Sequence, residues 1–146
     1  MNSAEYVVFK LNGEYYGIDI HNVENIEKLL TITRVPYTEN HIVGVVNLRG
    51  NVIPVVDLRK RFDLPAKELN DETRIIIVNV KELKVGMIVD SSSEVLKLER
   101  EEIDVAPSIR GSINVDFIRE IGKSEGRIIM LIDLKKVLGI ENIENE

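Results

Sequence analysis

Gly44-Val45-Val46-Asn47-Leu48-Arg49-Gly50-Asn51-Val52-Ile53-Pro54-Val55-Val56-Asp57-Leu58-Arg59 is the stretch that decides how this chain is read. Two apolar runs, 44–48 and 52–56, flank Gly50-Asn51, a pair that tolerates the positive φ of a tight two-residue turn, so the stretch predicts a β-hairpin. Pro54 has no N–H to give to a ladder, which predicts that the second strand lies at a sheet edge or carries a bulge there. Asp57 follows at an N-cap position, and residues 58–62 read as a short helical piece. Arg49 stands at the shoulder of the turn, where its guanidinium can bridge a carboxylate on a partner or on its own fold.

The same pattern continues outward. Residues 6–11 and 16–20 alternate apolar and polar around Asn12-Gly13, a second hairpin signal. Runs 74–80 and 85–89, joined by the polar residues 81–84, predict a third, and 94–99, 117–121 and 127–132 read as further strands. Helical signal is sparse: residues 134–138 follow Asp133 as a cap, and 21–30 places Val23, Ile26 and Leu30 three and four apart, a spacing equally open to a turn running into a strand. An internal echo organises these pieces. Residues 52–62 (VIPVVDLRKRF) resemble 128–138 (IIMLIDLKKVL), and 16–20 (YGIDI) with Val23-Glu24 resemble 85–90 (VGMIVD) with Glu94-Val95. Two similar all-β units, each closing its sheet into a small barrel, are expected. The polar stretch 64–72 is the expected boundary, giving subdomains of about 14–66 and 70–139, with exchange of terminal strands between them left open. Residues 140–146 form an acidic tail expected to fray.

Composition narrows the chemistry. At 146 residues, 44% hydrophobic and 30% charged, the chain has the balance of a soluble globular domain, and its longest apolar runs are far too short to cross a membrane. With no readable secretory signal, a cytoplasmic protein is expected. Without cysteine there is no thiolate nucleophile or cysteine zinc site, and His21 and His41 are not at metal-ligand spacing. A net charge of −6 disfavours nucleic acid as a partner. Phosphate-binding glycine loops are missing, and Ser91-Ser92-Ser93 lacks the glycines of a nucleophile elbow and reads as a solvated turn. Asp57 and Asp133 are better explained as helix caps than as an acid–base pair.

Residues 44–59, together with Tyr16-Gly17-Ile18-Asp19-Ile20, Ile32-Thr33-Arg34-Val35-Pro36, residues 85–90 and Glu94-Val95-Leu96, closely resemble the CheW-type chemotaxis coupling proteins, over about residues 5–139. The resemblance implies a stand-alone coupling protein of two five-stranded, SH3-like β-barrels around a hydrophobic groove, with a few short helices, no catalytic activity, no metal and no cofactor. Its implied partners are the cytoplasmic tip of a methyl-accepting chemoreceptor and the regulatory domain of the histidine kinase CheA, with recruitment to membrane-associated receptor arrays and no membrane insertion. Receptor contact is implied for Val23, Ile26, Gly44, Leu48, Arg49 and Val95, and kinase contact for Ile42, Val43 and Val45. Where relatives often carry a glutamate able to pair with the motif arginine, this chain has Asn25, so Arg49 is expected to use Glu24, Glu27 or a partner carboxylate. Arg49→Ala and Gly44→Asp are both expected to leave the fold largely intact.

The alternative reading is a small β-barrel oligonucleotide-binding protein using Arg59, Lys60 and Arg61. A third, a hydrolase, needs Asp57 and Asp133 together at one cleft.

Overall fold

The computed structural model describes residues 3–28, 30–36, 41–105 and 117–139. Eleven strands and two short helices follow in order: β1 (Ser3–Leu11), β2 (Glu14–Asp19), β3 (Val23–Lys28), β4 (Ile42–Leu48), β5 (Asn51–Asp57), α1 (Leu58–Arg61), β6 (Arg74–Val80), β7 (Leu83–Val89), β8 (Ser91–Glu99), β9 (Ile103–Val105), β10 (Ile118–Ser124), β11 (Arg127–Ile132) and α2 (Leu134–Leu138). They form two small barrels. One sheet runs β3-β6-β7-β5-β4; the other runs β8-β1-β2-β11-β10-β9, five strands plus the three-residue β9. The first sheet closes where Thr33, beyond β3, exchanges two backbone hydrogen bonds of 2.8 and 2.9 Å with Val45 of β4.

The internal echo explains how the chain is divided. The strand of each first echo pairs in parallel with the strand of the second echo from the other half: β5 with β7 (Val55↔Gly86) and β11 with β2 (Leu131↔Gly17). Sheet membership therefore does not follow the halves 14–66 and 70–139. β1 and β2 join β8–β11, whereas β6 and β7 complete the sheet of β3–β5, and the polar stretch 64–72 links two strands of one sheet. The repeats extend to the helices. Asp57 N–H donates to the His41 carbonyl and Asp133 N–H to the Phe117 carbonyl, both at 2.8 Å, and each aspartate then caps its helix.

Three apolar clusters follow from period-two alternation. Val46, Ile53, Val55, Ile75, Ile77 and Ile88 fill one barrel, and Leu98, Ile129 and Leu131 fill the other. The largest lies between the sheets, where Val7, Phe9, Tyr16 and Ile18 meet Ile76, Val78, Met87 and Val89, with Leu58 and Leu134 entering from the helices. Phe9, Tyr16, Phe62 and Phe117 form a ladder with ring centroids 5.4–5.6 Å apart. Each fully buried large side chain contributes about 1.5–3 kcal/mol, so this shared core holds the barrels as one unit.

Several local expectations change. Residues 21–30 are not a helix: a 3₁₀ turn at 20–22 leads into β3, because pairing with β6 outweighs a helical spacing that only three side chains support. The hairpin turn is Arg49-Gly50 (φ 52° and 87°), one residue earlier than Gly50-Asn51, with Asn47 Oδ1 accepting from Gly50 N–H at 2.9 Å. Lys81-Glu82 alone form the third turn, both at positive φ. β5 is internal, not an edge; Pro54 is accommodated because pairing with β7 starts at Val55, and the irregularity lies opposite, between Ile42 and Gly44 of β4. Ser91–Ser93 begin β8 instead of forming a turn. The acidic tail lies outside the described residues.

Candidate functional site

Strand β3 presents different residues on its two faces. On one, Val23 stands opposite Val78 and Ile26 opposite Ile76, both partners belonging to the core between the barrels. Strand β8 repeats this in the other sheet, with Val95 opposite Val7 of the same core. Directly opposed residues share a face. Val23, Ile26 and Val95 thus flank the seam between the barrels from the two strands that end their sheets. Ile26 and Val95 are 43% and 52% exposed, so the seam carries large aliphatic side chains at its margins.

The other face of β3 carries Asn25 and Glu27, opposite Ile77 and Ile75 of the barrel interior. Arg49 reaches this face from the β4–β5 turn. Its Nη2 lies 3.9 Å from Glu27 Oε2, and its Nη1 donates at 2.9 Å to Asn25 when the carboxamide oxygen is turned toward it, the orientation that also lets the amide donate to the Glu24 carbonyl. Of the carboxylates expected for Arg49, Glu27 is thus the one within reach, and Asn25 adds an acceptor of its own. Glu24 is directed elsewhere: it accepts from Asn79 and sits 3.4 Å from Lys84 Nζ, and the Asn79 hydrogen bond leads in holding its carboxyl below the usual range. Leu48 packs on the barrel core with Leu30, Ile32 and Val43. The six residues grouped for receptor contact thus divide: Val23, Ile26 and Val95 border the seam, while Gly44, Leu48 and Arg49 belong to the barrel and its mouth.

Gly44 has a structural task. A Cβ there would lie 2.2 Å from the Thr33 carbonyl oxygen and 2.9 Å from its carbon, so Gly44→Asp cannot leave the fold intact as expected. Ile42, Val43 and Val45 are all half-buried. Ile42 leans on the inter-barrel core, and Val43 lines a cavity of about 470 Å³ with Leu30, Ile32, Leu69 and Ile88, rimmed by Arg34, Lys60 and Lys67.

The groups considered for other chemistry are already engaged. Arg59 makes a fork to Asp90 (2.8 and 2.7 Å) and also donates to the Pro65 carbonyl. Arg61 donates to the Val137 and Lys136 carbonyls at the end of α2 and covers the Phe117 ring. Two of the three cations proposed for oligonucleotides are therefore internal fasteners. Asp57 accepts from Arg59 N–H and Asp133 from Lys136 N–H, each at the head of its own helix. Burial works to raise the Asp90 carboxyl, but the Arg59 fork and the Asn12 N–H outweigh it and hold it below the usual range. The Arg59–Asp90 and Arg127–Glu94 pairs were not singled out in the sequence, since their partners stand 31 and 33 positions apart. Among the described residues no helix is long and apolar enough to cross a membrane.

A fold whose Arg59 and Arg61 brace its own chain, and whose seam carries exposed aliphatics on both sides, is built as a docking scaffold. The chain matches the CheW-like domain over residues 5–142. It is 44% identical over 140 residues to the chemotaxis protein CheW of Bacillus subtilis (95% of this chain, 89% of that one). Identity to the CheW of Klebsiella aerogenes is 34% over 139 residues (95% and 84%). The crystal structure of the scaffolding protein TtCheW from Thermoanaerobacter tengcongensis superposes with a TM-score of 0.86 at 36% identity, covering 94% of each chain. The chain belongs to the CheW family of chemotaxis proteins.

Proposed function

We propose that the chain, a chemotaxis coupling adaptor, performs no catalysis and joins the cytoplasmic tip of a chemoreceptor to the regulatory domain of the histidine kinase CheA, which recruits it to receptor arrays at the membrane. The observation that carries this reading is the pair of exposed aliphatics, Ile26 and Val95, on opposite sides of the inter-barrel seam. An amphipathic receptor helix recognises such a seam through anchors three and four residues apart. Val23 extends the same margin, and Arg49, its side chain 71% exposed, supplies a guanidinium for a partner carboxylate near the barrel mouth. The kinase domain is assigned to the face around Ile42, Val43 and Val45, where the cavity beside Val43 offers an apolar floor. Co-sedimentation with a receptor-tip fragment and the kinase regulatory domain, singly and together, tests the reading. Ternary association is expected; failure to bind either partner at high concentration refutes it.

A further inference from the structure

The barrels correspond strand for strand: β3-β6-β7-β5-β4 in one matches β8-β1-β2-β11-β10 in the other, each with a single parallel pair. The correspondence extends to a cross-brace. In the first barrel, Arg49 reaches from the β4–β5 turn to Asn25 and Glu27 on β3. In the second, Arg127, which opens β11 just after the β10–β11 turn, reaches Glu94 on β8 through a fork of 2.5 and 3.3 Å. The Arg127 guanidinium also lies 4.9 Å from the centre of the Tyr15 ring on β2, which Lys10 Nζ of β1 approaches at 5.1 Å. Four strands are tied together at this point. The second arginine is also better shielded: the Arg127 side chain is 23% exposed, against 71% for Arg49.

Glu94 immediately precedes Val95. Successive strand residues point to opposite faces, so a carboxylate anchored on one face fixes the strand where the next residue turns out to the seam. Beyond this, β8 is held laterally by β1. The Arg127 hydrogen bond leads in lowering the Glu94 carboxyl below its usual range, so the pair is ionised at neutral pH.

We infer that Arg127 is a positioning residue for receptor docking: its forked grip on Glu94 fixes β8 so that Val95 is presented at the seam. This rests on the receptor reading of Val95. The test uses the full chain and measures affinity for a receptor-tip fragment and, separately, for the kinase regulatory domain, in Arg127→Met, Arg127→Lys and Val95→Asp. Amide exchange on β8 is measured alongside. Arg127→Met is expected to weaken the receptor fragment five- to tenfold, leave kinase affinity within twofold and speed exchange at Val95 and Leu96. Arg127→Lys, which keeps the charge without the fork, should recover part of the loss. Unchanged receptor affinity in a folded Arg127→Met overturns the inference, as does an equal loss for both partners. Val95→Asp separates the two levels. If it binds receptor normally, the seam reading itself fails; if it loses binding while Arg127→Met does not, only the positioning role fails.

Discussion

Gly44→Ala adds one methyl group at the point where a barrel closes. The new Cβ would lie 2.2 Å from the Thr33 carbonyl oxygen and 3.0 Å from Ile32 Cγ2, so β4 and the segment around Thr33 must separate. Separation breaks the two hydrogen bonds between Thr33 and Val45, of 2.8 and 2.9 Å, each worth about 0.5–1.5 kcal/mol net. It also loosens Leu30 and Ile32, which pack on the barrel core, at a further cost of about 1–2 kcal/mol. The expected loss is about 2–5 kcal/mol, or a fall in melting temperature of about 6–15 °C at roughly 3 °C per kcal/mol for a chain of this size. Gly50→Ala is the control. Gly50 has φ +87° and nothing within 4 Å of a new Cβ, so it isolates backbone strain of about 1–2 kcal/mol. Thermal melts followed by far-UV circular dichroism at pH 7 make the comparison. A Gly44→Ala protein melting within about 2 °C of the parent, or above Gly50→Ala, refutes the reasoning.

Asp90→Asn leaves the Arg59 fork without its carboxylate and should cost about 3 kcal/mol at pH 7, since both side chains are largely covered (11% and 16% exposed). The folded Asp90 carboxyl titrates below its unfolded value of about 3.9, so its contribution is fully present above that value and lost as pH falls through the folded one. The gap between the melts of parent and variant should therefore narrow below about pH 4; a gap constant from pH 7 to 3 contradicts the assignment. Arg49→Ala should change stability by less than about 1 kcal/mol, since Arg49 is exposed and its contact with Glu27 is long, at 3.9 Å, while weakening the receptor fragment in calorimetry. Val43→Asp should impair binding of the kinase domain and spare the receptor fragment, so equal losses for both in a folded protein would remove the division of surfaces.

How much was legible beforehand differs from element to element. Asn12-Gly13, the alternating runs and the aspartate caps carry local signals, and the hairpins and helices stand where those signals put them. The Arg49-Gly50 turn was displaced by one residue because a pattern rule favours asparagine at positive φ, whereas register fixed by Leu48↔Asn51 puts arginine there. Residues 21–30 misled for a related reason: three side chains at helical spacing say nothing about the β6 edge waiting to pair with them.

The sequence alone determined that the chain is β-rich and built from repeated segments, because alternation, turn chemistry and repeats are properties of neighbouring residues. Only tertiary structure decided that the repeats pair across the halves, that Arg59 and Arg61 fasten the chain's own backbone and Asp90, and that Ile26 and Val95 both lie opposite residues of the inter-barrel core. These depend on contacts between residues about 30 to 115 positions apart, and such contacts are chosen by the shared burial of a core, which no short window of sequence contains.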